Sequence, residues 1–272
     1  MTPEISEFSY GFALTNELVG WMHLRSAPIF PSLIEEGRKG GGYDVKLDQT
    51  GVPLFLQFKR AEHMVRRSAR EFACVRQIEP TFDVPFFRFP VMEAWRSLQH
   101  ELLLELDQAP NMVFYAAPRF HKLHEINAAW IGKSIADESI FVQPREIGVL
   151  SPASSHSVVY NNSSAYLCSE AGELRYFTAD ALQDKLKALI ESRRDIPLRA
   201  TISESLSILR KARDRLRTML RVPTTAEALL MALDGPTATG PVDGENAQIR
   251  ELADIAMRDF DSQLIFIQST DD

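Results

Sequence analysis

The run VPLFLQFKR, residues 52–60, constrains the fold of this chain more than any other segment. Its residues around 54–58 are apolar on both faces of an extended strand, and this pattern is typical of a strand inside a sheet. Gln57 and Lys59 interrupt the pattern, and because they are two residues apart they point to the same face. A buried amide or ammonium group is costly unless it meets a partner or water. The run therefore predicts a polar site on an interior strand.

A second short extended run, YDVKL, precedes this strand and follows three consecutive glycines at residues 40–42. The two runs are separated by DQTG, whose residues favour a turn, so the segment predicts a β-hairpin. Asp44 lies at the start of the first run, and twelve residues separate it from Gln57. We expect the hairpin to bring Asp44 close to Gln57 and Lys59.

These residue types match the needs of phosphodiester hydrolysis. A divalent cation held by oxygen ligands places positive charge where the phosphate becomes more negative. Mg²⁺ prefers a few carboxylate or carbonyl oxygens and keeps several of its waters. A lysine beside the cation can orient the attacking water or neutralise the phosphate. The sequence therefore predicts a site for Mg²⁺ or Mn²⁺ on this hairpin.

The pattern GGGYDVKL followed by GVPLFLQFKR resembles the catalytic hairpin of the PD-(D/E)xK nucleases, over roughly residues 10–75. It is most similar to the branch that contains Mrr-type restriction endonucleases and Holliday-junction resolvases. The resemblance implies that Asp44 is the central metal ligand. It also implies that Gln57 binds the metal through its side-chain carbonyl and that Lys59 directs the water or the phosphate. Gln57 replaces the commoner acid, which removes one negative charge and predicts weaker metal binding.

In that family the first helix usually supplies another acid. Residues 7–24 have the periodicity of a largely buried helix, and Glu17 lies on it, 27 residues before Asp44. The resemblance implies that Glu17 is an accessory metal ligand or a base near the metal. Glu35 and Glu36 are alternatives that lie nearer to Asp44 in the sequence.

The formal net charge of −7 argues mildly against a protein that is coated in nucleic acid, but two segments are basic. Residues 59–76 hold six basic and two acidic residues, and residues 193–221 hold nine and three. The predicted helices 61–76 and 202–220 carry the candidate phosphate contacts Arg66, Arg67, Arg70, Arg210, Arg213 and Arg217. An ordinary solvated helix face is the alternative interpretation of both segments.

Three other patterns are weaker. His121 and His124 have a spacing that could bind zinc on a helix, but no third ligand is evident and exposed histidines are the simpler interpretation. The run from Ser154 to His156 lacks the surroundings of a hydrolase nucleophile. The run GRKGGG lacks the ending of a phosphate-binding loop.

The order of the predicted elements indicates an α/β fold with a mixed central sheet flanked by helices, as in a restriction-endonuclease-like core. We expect this core to span residues 1–195 and residues 196–272 to form a mainly helical extension. That extension would have helices near 202–220, 224–233 and 245–261 and a closing strand in LIFIQS.

The predicted function is a metal-dependent endonuclease that acts on DNA in a restriction or anti-phage defence system. Its acidic overall charge implies that affinity comes from a further domain, a protein partner or a homo-oligomer. The alternative is a non-catalytic module with a nuclease-like fold that binds or assembles with a partner such as an ATPase. With two cysteines far apart in sequence, no secretory signal and no membrane-length apolar run, the expectation is a reduced, cytoplasmic protein without a membrane contact.

Overall fold

The computed structural model describes residues 2–21, 50–92, 99–151, 153–170, 172–219, 244–260 and 262–268. Their helices are α1 (Glu7–Trp21), α2 (Arg70–Val75), α3 (Gln99–Leu106), α4 (Leu123–Gly132), α5 (Pro144–Ile147), α6 (Ala179–Ser192), α7 (Leu198–Met219) and α8 (Gly244–Phe260). Their strands are β1 (Gly51–Phe58), β2 (Glu62–Met64), β3 (Phe86–Met92), β4 (Met112–Pro118), β5 (Ser139–Val142), β6 (His156–Tyr160), β7 (Ala165–Leu167), β8 (Gly172–Leu174) and β9 (Gln263–Gln268). The helix expected near residues 224–233 lies outside the described residues.

The first sheet has four strands in the order β5-β4-β1-β9. β1 lies inside it, parallel to β4 and antiparallel to β9, so the sheet is mixed. Seven of the eight residues of β1 are buried, from Gly51 to Gln57. The prediction of an interior strand from its apolar composition is confirmed.

The second sheet is antiparallel, with the order β2-β3-β6-β7-β8. Its first strand corrects the sequence prediction, which placed a helix over residues 61–76. Glu62 pairs with Arg88 across the sheet, and the Arg88 Nε donates to the Glu62 carboxylate at 3.0 Å. The helix is confined to α2 because pairing with β3 holds the preceding residues in an extended conformation, and local propensity is a weak force beside such contacts.

The layers are built around the first sheet. One of its faces, which includes Leu54, Leu56 and Phe114, packs against α1, α4 and α6. The opposite face, which includes Phe55 and Val113, packs against the second sheet together with α3, α7 and α8. α2 covers the outer side of the second sheet. The predicted α/β class, with a mixed sheet flanked by helices, is confirmed.

The predicted division between residues 195 and 196 does not separate two cores. β9 is a strand of the first sheet and pairs with β1 from Gly51 to Leu56. Buried residues of α7 and α8 belong to the same cluster as Phe55. The described residues after 195 are mainly helical and include the expected closing strand, and they complete the central sheet and cover one of its faces.

Two strands pair with β1. β4 pairs with residues 54–58 of β1, and β9 pairs with residues 51–56. A strand has two hydrogen-bonding edges, so both are occupied at residues 54–56 and no third strand can pair there. The hairpin predicted between the run YDVKL and β1 involves residues that the structure does not describe, and it stays a prediction. Asp44 and the rest of that run lie outside the described residues.

Gly11 marks a close approach between α1 and β1. A Cβ atom on Gly11 would lie 2.5 Å from Cδ2 and 2.7 Å from Cε2 of Phe58. Gly11→Ala should therefore displace the Phe58 ring and lower the free energy of unfolding by about 1–3 kcal/mol, the usual cost of overpacking. Urea denaturation followed by circular dichroism measures the change.

Gly20 provides the matched control for this prediction. It lies on the same helix, and a Cβ atom there would meet no atom within 4 Å. Gly20→Ala should stabilise the protein by roughly 0.5–1 kcal/mol, since alanine favours the helix. A Gly11→Ala variant that is as stable as Gly20→Ala would contradict the close packing of α1 on β1.

Candidate functional site

Gln57 and Lys59 lie at the carboxyl end of β1, beside the parallel strand β4. Gln57 is in register with Tyr115, and the backbone N–H of Lys59 donates to the carbonyl oxygen of Ala116 at 2.9 Å. The Lys59 Nζ lies 5.7 Å from the centroid of the Tyr115 ring. Tyr115 packs in the same cluster as Phe55, and side chains alternate along a strand, so Gln57 and Lys59 both lie on this face of the sheet.

The Gln57 amide is the most unusual polar group of this strand. The residue is 1% exposed, and neither its Oε1 nor its Nε2 has a hydrogen-bond partner among the described residues. A buried polar group in this state costs about 1–3 kcal/mol. Such a group in a native fold requires an explanation, and a bound ion or a functional role is one of them.

Tyr115 and His100 form a buried, hydrogen-bonded pair next to the Lys59 side chain. The His100 Nε2 lies 2.7 Å from the Gly148 carbonyl oxygen, which can only accept, so this nitrogen carries the proton. The Tyr115 hydroxyl then donates to His100 Nδ1 at 2.9 Å. Burial lowers the pKa of His100, and the positive charge of Lys59 lowers it further, although the Gly148 carbonyl opposes both. The imidazole is therefore neutral at neutral pH, whereas the Lys59 side chain places a positive charge near it.

Glu17 does not join this group. Its carboxylate accepts the backbone N–H groups of Ile135 at 2.8 Å and Ala136 at 3.2 Å. α1, which carries Glu17, packs on the face of the first sheet opposite to that of Gln57. This acid anchors α1 to the segment between α4 and β5, and its predicted role as a metal ligand or base stays a prediction.

The described residues supply only part of the ligand set that a divalent cation requires. Gln57 contributes one neutral amide oxygen, whereas Mg²⁺ sites in proteins normally include at least one carboxylate. Among the residues that the structure describes, no group of three or more His, Cys, Asp or Glu side chains could hold a metal ion. Asp44 and the alternatives Glu35 and Glu36 lie outside the described residues.

The arginines after β1 do not share one helix face. Arg66 and Arg67 precede α2, and Arg70 is its first residue. Arg67 forms an exposed ion pair with Asp83, in which its Nε donates to the carboxylate at 2.9 Å. Such a pair is worth at most about 1 kcal/mol, so Arg67 can exchange Asp83 for a phosphate at little cost.

On α7, Arg210 has an intramolecular partner. Its guanidinium binds both carboxylate oxygens of Glu251 on α8, each at 2.7 Å. Arg215, which the sequence analysis did not select, binds Glu105 on α3 at 2.8 Å. These ion pairs connect α7 to its neighbours, so a nucleic-acid contact by Arg210 would compete with Glu251. The side chains of Arg213 and Arg217 lie outside the described part of the structure.

The structure places the candidate histidines differently from the sequence prediction. His121 precedes α4 instead of sharing a helix with His124, and its ring centroid lies 4.4 Å from that of His63. The His121 Nδ1 lies 3.2 Å from the Glu125 carboxylate. Burial is the largest cause that lowers the pKa of both His63 and His121. No sequence signal predicted this pair, because it depends on how β2 lies beside the segment after β4.

The side chain of His156 is held in the fold by hydrogen bonds on both ring nitrogens. Its Nε2 lies 2.7 Å from the carbonyl oxygen of Ser151, so this nitrogen donates and Nδ1 accepts from the Ser169 hydroxyl. The residue is buried, and both ring nitrogens are satisfied. The interpretation of Ser154 to His156 as lacking a nucleophile's surroundings is consistent with this arrangement.

Comparison of the chain with protein-family models, with curated proteins and with solved structures finds no match. None of the described helices is both long and apolar enough to cross a membrane.

Proposed function

We propose that this protein is a metal-dependent endonuclease that hydrolyses DNA phosphodiester bonds. The observation that supports the proposal is the buried Gln57 amide without a hydrogen-bond partner among the described residues, two positions from Lys59 on one face of an interior strand. The restriction-endonuclease-like identity of the core and a role in restriction or anti-phage defence are parts of the same proposal, and they rest on the sequence resemblance.

Each residue has a stated part in this proposal. Gln57 Oε1 would be a ligand of Mg²⁺ or Mn²⁺, and Asp44 would supply the carboxylate that the described residues lack. A bound cation would polarise the phosphate and stabilise the charge that develops on it. Lys59 would hold a positive charge beside the phosphate and orient the attacking water. Its ammonium lies at the Tyr115 ring, and cation–π attraction there favours one position of the side chain.

A non-catalytic binding or assembly module is the second candidate. Two observations favour it: an amide replaces the usual acid at position 57, and Glu17 caps backbone N–H groups on the opposite side of the sheet. In this case, the protein would contribute its fold to an assembly with a partner such as an ATPase, and Gln57 and Lys59 would have no role in hydrolysis.

A cleavage assay separates the two candidates. The full chain is incubated with supercoiled plasmid, linear duplex DNA and single-stranded DNA across a titration of Mg²⁺ and of Mn²⁺, with a chelator as the blank. The proposed nuclease nicks or linearises the plasmid only when the metal is present. If no substrate is cut under any of these conditions, including in the presence of the natural partner, the module is the correct candidate.

Gln57→Leu tests whether the amide is kept for function. Because the substitution removes a buried polar group that lacks a partner, we expect the free energy of unfolding to stay the same or rise by about 1–3 kcal/mol. Metal-dependent cleavage should fall together with metal affinity, which isothermal titration calorimetry measures. Gln57→Glu should bind the metal more tightly, because it restores a negative charge.

Gln263→Leu is the matched control for this substitution. Gln263 is a buried glutamine of the neighbouring strand β9, in register with Leu56 and therefore on the opposite face from Gln57. Its substitution should leave metal affinity and cleavage unchanged. Equal losses of metal affinity in both variants would show that the effect of Gln57→Leu is a general effect on the sheet.

A further inference from the structure

The fold brings together the only two cysteines of the chain, which are 94 residues apart in sequence. Cys74 lies in α2, and Cys168 follows β7 directly. The Cys74 thiol donates to the backbone carbonyl of Cys168 at 2.6 Å, and the Cys168 thiol lies 3.6 Å from the carbonyl oxygen of Glu71 in α2. Each thiol thus contacts the segment that carries the other.

We propose that Cys74 and Cys168 form an oxidative modification site, at which a peroxide converts the two thiols into an intramolecular disulfide. The two thiols also interact with each other directly, through a hydrogen bond between the side chains of Cys74 and Cys168. A disulfide requires two Cβ atoms about 3.5–4.5 Å apart, so its formation tests how closely α2 and the segment after β7 approach each other. This inference is independent of the proposed nuclease activity.

The exposure of the two thiols determines which of them the peroxide oxidises first. Cys74 is partly exposed and Cys168 is buried, so peroxide reaches Cys74 first. Burial raises the pKa of the Cys168 thiol, and the neighbouring Cys74 thiol raises it further. Cys168 is therefore protonated at neutral pH and reacts slowly with an external oxidant.

Two steps balance the chemistry. The Cys74 thiolate attacks one peroxide oxygen and the O–O bond breaks, which gives a sulfenic acid on Cys74 and a hydroxide ion. This hydroxide combines with the proton that the Cys74 thiol released, and the product is water. The Cys168 thiolate then attacks the Cys74 sulfur, the S–O bond breaks, and the hydroxide that leaves takes up the Cys168 proton. Two thiols lose two electrons, and one peroxide becomes two waters. Because the second step needs the Cys168 thiolate, disulfide formation should accelerate as the pH rises.

The disulfide would tie α2 to the second sheet. Cys74, Cys168, Phe82 and Tyr166 belong to one cluster on the outer side of that sheet, where α2 is otherwise held by apolar contacts and by the ion pair between Glu71 and Arg88. A covalent bond between the two segments restricts the unfolded chain and leaves the folded contacts in place. The oxidised protein should therefore resist denaturation better than the reduced protein.

The test is peptide mapping of the full chain after treatment with hydrogen peroxide. Free thiols are blocked, the protein is digested with trypsin without reduction, and the peptides are identified by mass spectrometry. Cleavage at the flanking arginines isolates Cys74 in residues 71–76 and Cys168 in residues 146–175. We expect these two peptides joined, with the loss of two hydrogen atoms, and we expect a thiol reductant to separate them.

Different products would overturn the proposal. If both thiols remain free, if Cys74 is only converted to sulfinic acid, or if the bonds link separate molecules only, the pair is not a disulfide-forming site. Cys74→Ser and Cys168→Ala serve as controls that should give no joined peptide. The urea midpoint should rise on oxidation of the wild type and stay constant in both variants. If either variant fails to fold, the peptide map of the wild-type protein still decides the question.

Discussion

Lys59→Ala is expected to lower the rate of metal-dependent cleavage by about 10²–10³-fold, the usual effect of losing one preorganised charged group. The physical reason is that the ammonium group acts most strongly on the charge that develops in the transition state. Lys59 lies at the end of β1 and is only partly buried. The free energy of unfolding and the affinity for DNA should therefore change little.

The measurement is cleavage of supercoiled plasmid at saturating Mg²⁺ or Mn²⁺, with circular dichroism to verify folding. Lys187→Ala is the matched control, because Lys187 is an exposed lysine of α6, on the helical layer at the opposite face of the first sheet. It should cleave like the wild type. If Lys59→Ala also cleaves at the wild-type rate, the chemistry of this protein lies elsewhere.

A chain that ends at residue 195 is expected not to fold. Without residues 196–272, β1 loses β9 as its antiparallel partner over Gly51 to Leu56, and the face that contains Phe55 and Val113 loses α7 and α8. Each buried aliphatic or aromatic side chain that is uncovered costs roughly 1.5–3 kcal/mol, and the unpaired edge of an apolar strand favours aggregation. These losses exceed the 5–15 kcal/mol by which native proteins are stable.

Thermal and urea denaturation of the shortened chain measure this effect. The full chain should unfold cooperatively, and the shortened chain should show no cooperative transition. Leu264→Ala gives a graded comparison, since this buried residue of β9 should contribute about 2–5 kcal/mol in the intact protein. A shortened chain that unfolds cooperatively with near wild-type stability would show that residues 1–195 are an independent domain after all.

Local sequence patterns predicted most of the individual elements. The apolar run of β1 identified an interior strand, and the helices α7 and α8 and the closing strand β9 lie where the sequence placed them. The clearest failure is the helix predicted over residues 61–76. There, pairing between β2 and β3, which are separated by more than twenty residues, determines the conformation.

The sequence also predicted only part of the candidate site. Successive side chains of a strand point to opposite faces of the sheet, and this rule was sufficient to place Gln57 and Lys59 on one face. It could not show that Tyr115 and His100 lie beside them, or that Glu17 faces the other side of the sheet. Those facts depend on which elements pack against each face.

The sequence by itself determined most of the strands and helices and which of their side chains share a face, because both follow from the geometry of a few consecutive residues. Only the tertiary structure decided that β9 and β4 are the neighbours of β1, and that Cys74 meets Cys168. The physical reason is that apolar burial is not directional. Many apolar strands could complete the edge of β1, and the choice among them depends on the packing of the whole core.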